Sequence, residues 1–511
     1  MARPVVTLNA GPLSTQSVEA VARRAAPVRI GSRATAAVRR SRALLESVLN
    51  DGEAHYGINT GFGSFSRQRI STPDLQSLQR NLIRSHAAGV GPALPRDVVR
   101  AMMLCLAGSL SRGHSGIRPI LLQTLVRMLN APPTGITPVV PETGSVGASG
   151  DLAPLAHVAL ALIGEGRVEY NGREMSAAEA MRRAKISPVT LGAKEGLALI
   201  NGTHLMAAQA TLFVRDLERV FDAALAAAAM SIDACRATDA FLDPRLHAAR
   251  TQPGQIEIAA RLRALIKGSR ILPSHALNDP RVQDPYSLRC APQVLGAAWD
   301  AFGYVRSRVE TELGAVTDNP LVFDGRRAAD ILSGGNFHGM AMAIPLDLAA
   351  IACSHVAGIA ERRVYHMLSA FDPEAGLPPY LSPSPGLHSG LMIAQYTAAA
   401  ACNEIITLCT PASVSNISTS AGMEDYNSFG PRSAAKARRA LDLCRSVVAI
   451  ELLCAAQAIE HHRPLRSGRG VERAHEIIRS KVRKLTADRP PAPDIAIIER
   501  LIQDGAFSPR Q

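Results

Sequence analysis

Residues 143–157 read TGSVGASGDLAPLAH, a glycine-punctuated turn that runs directly into an apolar helical pattern. Its glycines, Gly144, Gly147 and Gly150, follow a GxxGxxG spacing. A P-loop requires GxxxxGK[ST], and a dinucleotide-binding turn requires GxGxxG, so neither phosphate-binding motif fits this spacing. A flexible hinge would explain the glycines, but it would not explain the Ala-Ser-Gly tripeptide held between the last two.

The tripeptide Ala148-Ser149-Gly150 is suited to a reaction of the backbone with itself. If Ala148 and Gly150 are forced close together, the amide nitrogen of Gly150 can attack the carbonyl carbon of Ala148. Glycine suits this position because it has no Cβ to block the approach and tolerates unusual backbone angles. Loss of water across the Cα–Cβ bond of Ser149 would then leave a five-membered ring with an exposed methylidene carbon. Such a carbon is a strong electrophile, which no unmodified side chain supplies.

The rest of the chain predicts a mainly α fold. Hydrophobic residues make up 47% of the 511 residues, but aromatic residues make up only 4%. This aliphatic composition favours packed helices over sandwiches or barrels. Between about residue 190 and residue 465, long helical patterns dominate, and most exceed the length of an ordinary globular helix. We therefore expect a long central helical bundle, shared between subunits because helices this apolar need partners on several faces.

Three ranges organise the predicted fold. Residues 1–115 form a smaller mixed region, in which VVTL and PVRI resemble strands and YGINTGFGSF (56–65) predicts a loop that closes over a site. Residues 116–465 form the central bundle with the glycine-rich turn, and residues 466–511 form a C-terminal helical segment. Polar loops between the helices are the expected location of the chemistry.

Charge and cysteine usage exclude several classes of function. The net charge is +12, but acidic residues are interleaved with basic ones and aromatic residues are few, which argues against nucleic-acid binding. The basic run from Arg463 to Arg489 predicts a solvated helix face. The eight cysteines form no CxxC pair, which favours reduced thiols over disulfides or a zinc site. No apolar window is long enough and free of charge to span a membrane, so we expect a cytoplasmic protein.

GSVGASGDLAPLAH resembles the signature of the aromatic amino acid ammonia-lyases, whose Ala-Ser-Gly forms a methylidene-imidazolone group. YGINTGFGSF, NLIRSHAAGVG, ALINGT, VQDPYSLRCAPQV and SGGNFHG are similar to family motifs and occur in the family's order, from about residue 5 to about residue 505. The match is nearest to the histidine ammonia-lyases. The resemblance implies a fumarase/aspartase-like helical architecture and a homotetramer whose active sites are each shared among three subunits. It also implies a prosthetic group formed autocatalytically from residues 148–150, with no metal and no external cofactor.

The reaction implied by this resemblance is elimination of ammonia from an aromatic α-amino acid. The methylidene derived from Ser149 supplies the electrophile, and whether it captures the substrate's amine or its ring stays open. The resemblance assigns Tyr56 as the base that takes the β-proton. An unperturbed phenol titrates near pH ~10, so this role requires a cationic or electrophilic setting.

The resemblance also assigns the substrate-binding residues. Arg289 offers forked donors to the substrate carboxylate, beside Gln283 and Tyr286. Asn201 in LINGT is expected to hold the prosthetic ring or the substrate amine. Phe337 in GGNFHG is expected to form a wall of the ring pocket.

Three positions favour histidine as the substrate. His86 in RSHAAG, Met392 in GLMIAQ and Glu424 in GMEDYNS match the histidine enzymes. A carboxylate at Glu424 can accept a hydrogen bond from an imidazole N–H, whereas the same charge buried against a benzene ring would have no partner. We therefore expect conversion of L-histidine to trans-urocanate.

Two departures keep other substrates open. The chain has NGTH, with His204, where histidine lyases usually have NGTQ, and AGMEDYNSF (421–429) where they usually have ANQEDHVSM. The Asn-Ser of that stretch resembles the phenylalanine and tyrosine enzymes. A tyrosine or phenylalanine ammonia-lyase, an aminomutase with the same prosthetic group, and an enzyme for a histidine-related compound remain alternatives. A non-catalytic member is disfavoured because the residues that carry the chemistry are all retained, namely Tyr56, Ser149, Asn201 and Arg289.

Overall fold

Two short parallel strands lie near the start of the chain, as VVTL and PVRI predict. The computed structural model describes residues 4–49, 51, 53–65, 67–277, 279–325 and 329–509. Strand β1 (Val6–Leu8) pairs with β2 (Val28–Ile30), and helix α1 (Thr15–Arg24) connects them. The helix begins at a capping box in which Ser14 and Ser17 exchange side-chain and backbone hydrogen bonds.

Helices form most of the regular structure, which confirms the predicted mainly α class. Several are about 30 residues long, as the apolar patterns indicated. After α1, the described helices are α2 (Ser32–Val48), α3 (Leu75–His86), α4 (Arg96–Leu110), α5 (Pro119–Asn130), α6 (Leu152–Leu162), α7 (Ala177–Arg183), α8 (Glu195–Ile200), α9 (His204–Ala234), α10 (Pro244–Arg250), α11 (Pro253–Ile266), α12 (Tyr286–Arg289), α13 (Ala291–Glu312), α14 (Met340–Ser369), α15 (Met392–Leu408), α16 (Gly430–Ile459), α17 (Arg469–Arg479) and α18 (Ala492–Gln503).

The remaining strands are short and belong to small sheets. They are β3 (Val90–Ala93), β4 (Thr137–Pro138), β5 (Pro141–Thr143), β6 (Arg167–Tyr170), β7 (Arg173–Ser176), β8 (Leu321–Asp324) and β9 (Ala329–Leu332). The pairs β3–β5, β4–β6, β6–β7 and β8–β9 are all antiparallel. Such small sheets brace loops and do not form a core of their own.

Packing divides the chain into two compact units, each built from three segments. The first unit comprises Met1–Arg215, Arg306–Asp347 and Pro411–Ala435. The second comprises Asp216–Val305, Leu348–Thr410 and Lys436–Gln511. This division follows contacts and not contiguous ranges, so the three ranges proposed from the sequence stay a prediction.

The first unit places three helix ends close together. Helix α3 packs against both α6 and α8, and α6 also packs against α8. Aliphatic residues make this contact possible, because Ile83 on α3, Leu155 on α6 and Leu199 on α8 are all fully buried. The glycine-rich turn lies immediately before α6, while α3 ends at His86 and α8 ends next to Asn201.

Near its start, the region of long helical patterns predicted from about residue 190 is interrupted by a three-residue break. Helix α8 ends at Ile200 and α9 begins at His204. Gly202 has a φ of +121°, and Asn201 is extended. The break lets the backbone of Gly202 pair with the glycine-rich turn, since Asp151 N donates to Gly202 O at 2.8 Å and Gly202 N donates to Ser149 O at 3.4 Å. A continuous helix would use those groups within itself.

The second unit contains a fully buried ion pair. Arg363 Nε donates to Glu451 Oε1 at 2.5 Å and Arg363 Nη2 donates to Glu451 Oε2 at 2.9 Å, a bidentate arrangement. Ser231 Oγ donates a further bond to Glu451 at 2.7 Å, so the carboxylate is well satisfied. The third nitrogen of the arginine, Nη1, donates to Ser287 O in the short helix α12 at 3.3 Å.

The basic run near the C-terminus is an ion-pair network and not a simple solvated face. Three of its arginines form ion pairs with half-buried side chains: Arg463 with Glu472, Arg479 with Glu460, and Arg489 with Asp494. Helix α17 is strongly amphipathic and packs against α11. These arginines therefore hold the second unit's own chain segments together.

One helix passes a length-and-composition test for a membrane span among the residues described. Helix α14 (Met340–Ser369) has an apolar window of mean hydropathy 1.6, and 67% of that window is buried within the protein. A mostly buried window is typical of a core helix. The cysteines are free thiols, and the described residues contain no group of three or more His, Cys, Asp or Glu that could hold a metal ion.

Candidate active site

A cavity of about 1180 Å³ in the first unit brings together most of the residues predicted from the sequence. Its wall is formed by the loop after α2, the ends of α3 and α8, the glycine-rich turn, and the loops at 333–338 and 420–426. The predicted residues that line it are Tyr56, His86, Ala148, Ser149, Asn201, Phe337 and Glu424. Gly150 follows directly behind Ser149.

Hydrogen bonds to the backbone carbonyls of Val146 and Gly147 hold the N-terminal side of the glycine-rich turn in place. Phe429 N donates to Val146 O at 2.9 Å, and Gly147 O accepts both Ser428 Oγ at 2.9 Å and Gly339 N at 3.1 Å. A Cβ on Gly147 would lie 2.2 Å from Ser428 Oγ, so only glycine allows this approach. The turn is therefore fixed by residues that lie far away in the sequence.

Gly150 is confined even more tightly. Its φ is +73°, and an added Cβ would lie 2.1 Å from Gly202 O. Its own carbonyl accepts a hydrogen bond from Ser145 Oγ at 3.1 Å. Position 150 thus requires glycine. Glycine also leaves its amide nitrogen unobstructed for attack on a neighbouring carbonyl, because it has no Cβ.

Asp151 anchors the turn to the start of α9. The carboxylate is fully buried, and its Oδ2 accepts from Leu205 N at 2.8 Å and Met206 N at 3.2 Å. Burial raises the pKa of Asp151 to about 7, although the two backbone N–H donors and Ser145 act in the opposite direction. A carboxylate at a helix N-terminus is favoured by the unpaired N–H groups there.

Tyr56 lies half-buried in the predicted loop. Residues 56–59 form turns, Thr60 forms an isolated antiparallel bridge with Arg69, and Gly63–Phe65 forms a short 3-10 turn, as expected of a loop. The phenol oxygen of Tyr56 accepts a hydrogen bond from Gly63 N at 3.3 Å.

His86 presents one ring nitrogen to the cavity. Its Nδ1 lies 2.8 Å from Leu82 O, which can only accept, so Nδ1 carries the proton and Nε2 is left as an acceptor. Burial lowers the pKa of His86, while the contact with Leu82 and the charge of Glu424 act in the opposite direction. The imidazole is therefore favoured in its neutral form at neutral pH.

Glu424 faces the tripeptide directly. Its Oε1 accepts a hydrogen bond from Ser149 Oγ at 3.0 Å, and its Oε2 accepts one from Thr419 Oγ1 at 3.3 Å. The loop that carries it is closed by an antiparallel bridge between Thr419 and Glu424. A carboxylate, a serine hydroxyl and the His86 imidazole thus share one cavity.

Asn201 is buried, and the orientation of its amide is set by one hydrogen bond. Its Nδ2 donates to Asn319 O at 3.1 Å, while its Oδ1 is buried without a partner among the described residues. Phe337 lines the same cavity, half-buried, and the neighbouring His338 Nε2 lies 3.1 Å from Tyr426 O.

Four predicted residues belong to the second unit: Gln283, Tyr286, Arg289 and Met392. Arg289 Nε donates to Asp284 O at 2.9 Å and Arg289 Nη2 donates to Gln283 Oε1 at 2.6 Å. Its guanidinium lies over the Tyr286 ring, 4.5 Å from the centroid. Gln283, Tyr286 and Arg289 therefore form one pre-arranged group, whereas Met392 begins the separate helix α15.

Two residues at this site were not singled out from the sequence. Asp151 lies within the quoted GASGD, and its place directly before an apolar helical run was an available signal for a helix N-terminus. Asn319 precedes Pro320 in a segment that reads only as a turn, and nothing local indicates its contact with Asn201.

Comparisons with known proteins show what the whole chain is similar to. A family model described as "Aromatic amino acid lyase" matches residues 13–480. A histidine ammonia-lyase from Anaeromyxobacter dehalogenans is 49% identical over 503 residues, which cover 97% of this chain and 98% of the relative. A crystal structure of histidine ammonia-lyase from Trypanosoma cruzi matches with a TM-score of 0.90 at 39% identity, covering 99% of this chain and 94% of the other. A tyrosine aminomutase from Streptomyces globisporus matches with a TM-score of 0.91 at 36% identity, covering 99% and 98%.

Proposed function

The chain belongs to the aromatic amino acid lyase family and is a carbon–nitrogen lyase with an amino-acid substrate; on this premise we propose that it eliminates ammonia from L-histidine to give trans-urocanate. The observation that carries the proposal is the contact of Glu424 with Ser149 in a cavity that also contains His86. The similarity to histidine ammonia-lyases over nearly the whole chain supports the same substrate. We place the reaction in histidine catabolism, in the cytoplasm.

Residues 148–150 fit the methylidene-imidazolone group that the family implies. Only glycine can occupy position 150, and the turn is clamped at Val146 and Gly147 so that Ala148 and Gly150 are held in one bend. When formed, the group supplies an electrophilic methylidene carbon at the position of Ser149, on the cavity wall. We propose that it forms autocatalytically and that no external cofactor is needed.

Glu424 and His86 suit an imidazole ring better than a benzene ring. The carboxylate of Glu424 can accept an N–H of the substrate imidazole, and Nε2 of His86 offers a second acceptor within the same cavity. Oε2 of Glu424 already accepts Thr419 Oγ1, and Oε1 loses its donor when Ser149 loses its hydroxyl. An imidazole N–H can replace that donor, whereas a phenyl ring cannot. This difference favours histidine.

Tyr56 is proposed to act on the β-proton of the substrate, and Asn201 on its amine. Tyr56, whose oxygen accepts the Gly63 N–H, takes the β-proton as general base. Asn201 Oδ1, buried and without a partner among the described residues, accepts a hydrogen bond from the substrate amine. Phe337 bounds the space for the ring.

Arg289 is proposed to bind the substrate carboxylate in a site shared among subunits of a homotetramer. Its guanidinium is already oriented by Asp284 and Gln283, which reduces the entropy lost on binding. The cavity exceeds the usual size of a small-molecule site, about 300–1,000 Å³, which leaves room for side chains from other subunits. Exposed apolar residues on α15, namely Ile393, Tyr396 and Ile406, support association with further copies.

A second candidate function is a tyrosine aminomutase or ammonia-lyase. It is favoured by the MEDYNSF sequence at 423–429 and by the similarity to a tyrosine aminomutase structure. The carboxylate of Glu424 can accept a phenol O–H as well as an imidazole N–H. In an aminomutase the ammonia would be re-added to the product, so a β-amino acid would form with little free ammonia.

The test is a substrate screen with purified protein. With L-histidine we expect near-ultraviolet absorbance from urocanate to rise together with an equimolar release of ammonia. L-Tyrosine and L-phenylalanine, assayed identically, serve as the matched comparison. Faster turnover of L-tyrosine, or accumulation of a β-amino acid, would replace the proposed function with the second candidate.

A further inference from the structure

A buried ion pair lies behind the cavity wall in the first unit. Lys194 Nζ lies 2.6 Å from Asp318 Oδ2, and their side chains are 0% and 2% exposed. Lys194 also has a φ of +67°, in the left-handed region that side-chain-bearing residues rarely adopt. Both the buried charges and this backbone conformation cost free energy, so stability alone is a poor explanation for the pair.

A short chain of hydrogen bonds leads from this pair to the cavity. Asp318 Oδ1 accepts Asn319 N at 2.7 Å, and Asn319 O accepts Asn201 Nδ2 at 3.1 Å. The side chain of Asn319 is fixed separately, because its Oδ1 accepts Gly334 N at 2.7 Å. Asn319 therefore cannot rotate its carbonyl away from Asn201 without breaking several bonds.

The same contacts fasten both ends of helix α8. Lys194 directly precedes α8 and Asn201 directly follows it. Because α8 has only six residues, binding both flanking residues to the Asp318–Asn319 segment sets its rotation and position. The amide of Asn201 is consequently held with Nδ2 toward Asn319 and with Oδ1 left as the only acceptor it can offer.

We propose that Lys194 and Asp318 are positioning residues for the elimination reaction. They fix the Asn319 carbonyl, which in turn aims the Asn201 oxygen at the substrate amine. This inference rests on the proposed function, because it takes Asn201 to contact the substrate. Misplacement of such a group by about 1 Å can reduce a rate by about a hundredfold.

A second ion pair, formed by the first residue of α8, provides a matched control. Glu195, with a fully buried side chain, accepts Arg118 Nη2 at 2.6 Å and Arg118 Nε at 2.9 Å. None of its described hydrogen bonds involves Asp318, Asn319 or Asn201. The variants D318N and E195Q therefore make the same chemical change at the two ion pairs, and only the first involves the path to Asn201.

The first experiment measures turnover of L-histidine in a double-mutant cycle. D318N is expected to lower kcat by about tenfold or more, whereas E195Q lowers it by less than about threefold. In an N201A background, D318N should have no further effect on kcat, because the group it positions is missing. If D318N does not fold, K194R replaces it, since a planar guanidinium cannot reproduce the single ammonium contact.

The second experiment measures binding without turnover, in an S149A background. Addition of D318N should weaken L-histidine binding by about tenfold and leave urocanate binding within about twofold, because urocanate has no amine for Asn201 to contact. A general distortion of the cavity would weaken both ligands alike and would overturn the inference. So would equal kcat values for D318N and E195Q, or a full D318N effect in the N201A background. Absence of wild-type turnover would instead contradict the proposed function.

Discussion

Ser149 Oγ donates a hydrogen bond to Glu424 Oε1 at 3.0 Å, although 275 residues separate them in the chain. The serine is the proposed source of the electrophile, and the glutamate is the proposed partner of the substrate ring. Their contact means that the two functions depend on one arrangement of loops. The clamp of Gly147 by Ser428 and Gly339 holds the same loops together.

Replacing Gly150 by alanine is expected to prevent formation of the prosthetic group. The added Cβ would meet Gly202 O at 2.1 Å, so the turn must open. Gly172→Ala is the matched control, because Gly172 has a similar φ of +71° but nothing within 4 Å of an added Cβ. The control should lose only the left-handed strain, about 1 kcal/mol of unfolding free energy, and keep its activity. Equal activity of the two variants would contradict the claim that the close contact with Gly202 O excludes a side chain at position 150.

Replacing Glu424 by glutamine should change substrate preference. A hydrogen bond to a charged group contributes about 1.5–3 kcal/mol, so kcat/KM for L-histidine should fall by one to two orders of magnitude. Turnover of L-phenylalanine should fall much less, because its ring has no N–H for the carboxylate to accept. Parallel losses for both substrates would show that Glu424 does not select the ring.

Replacing Arg289 by lysine should raise KM more than it lowers kcat. Lysine retains the charge but lacks the fork that contacts both Asp284 and Gln283, so the group would no longer be pre-oriented for a carboxylate. We expect KM to rise by about tenfold or more. An unchanged KM would exclude Arg289 from carboxylate binding.

Replacing His204 by glutamine should reduce the loss of stability in acid. Burial lowers the pKa of His204 to about 4, below its ordinary value in the unfolded chain. The unfolded chain therefore binds the proton first, and stability is lost as pH falls from about 6.5 toward 4, by up to about 3 kcal/mol. Denaturant unfolding at pH 7 and pH 5 should show a smaller difference for the variant than for the wild type. Identical differences would show that His204 is protonated equally in both states.

The sequence predicted the elements whose signals are local. The strands at VVTL and PVRI, the loop at 56–65 and the long helices follow from runs of residue types and turn residues, and the structure contains all of them. Of the seven predicted residues that line the cavity, Ala148 and Ser149 were predicted from the chemistry of the tripeptide, and the other five were predicted through family motifs and not through periodicity. The roles of those five residues followed only from the resemblance.

What the sequence missed depends on contacts between distant segments. The break at Asn201–Thr203 exists because Gly202 pairs with Ser149 and Asp151, and no feature of residues 196–237 indicates that partner. Likewise, Lys194 and Asp318 read as ordinary charged residues until the fold buries them together. Burial of a charge is a tertiary property, which propensity and spacing cannot reveal.

The most direct test of the account is the mass of the peptide that contains residues 148–150. Condensation of Gly150 N onto the Ala148 carbonyl and dehydration of Ser149 each release one water. We predict that intact protein, and the peptide cut from it, are lighter than the sequence by two water molecules, whereas Ser149→Ala, which cannot lose the hydroxyl, lacks the methylidene and loses several orders of magnitude of activity. A wild-type peptide of full sequence mass, in protein that still turns over its substrate, would contradict the central claim.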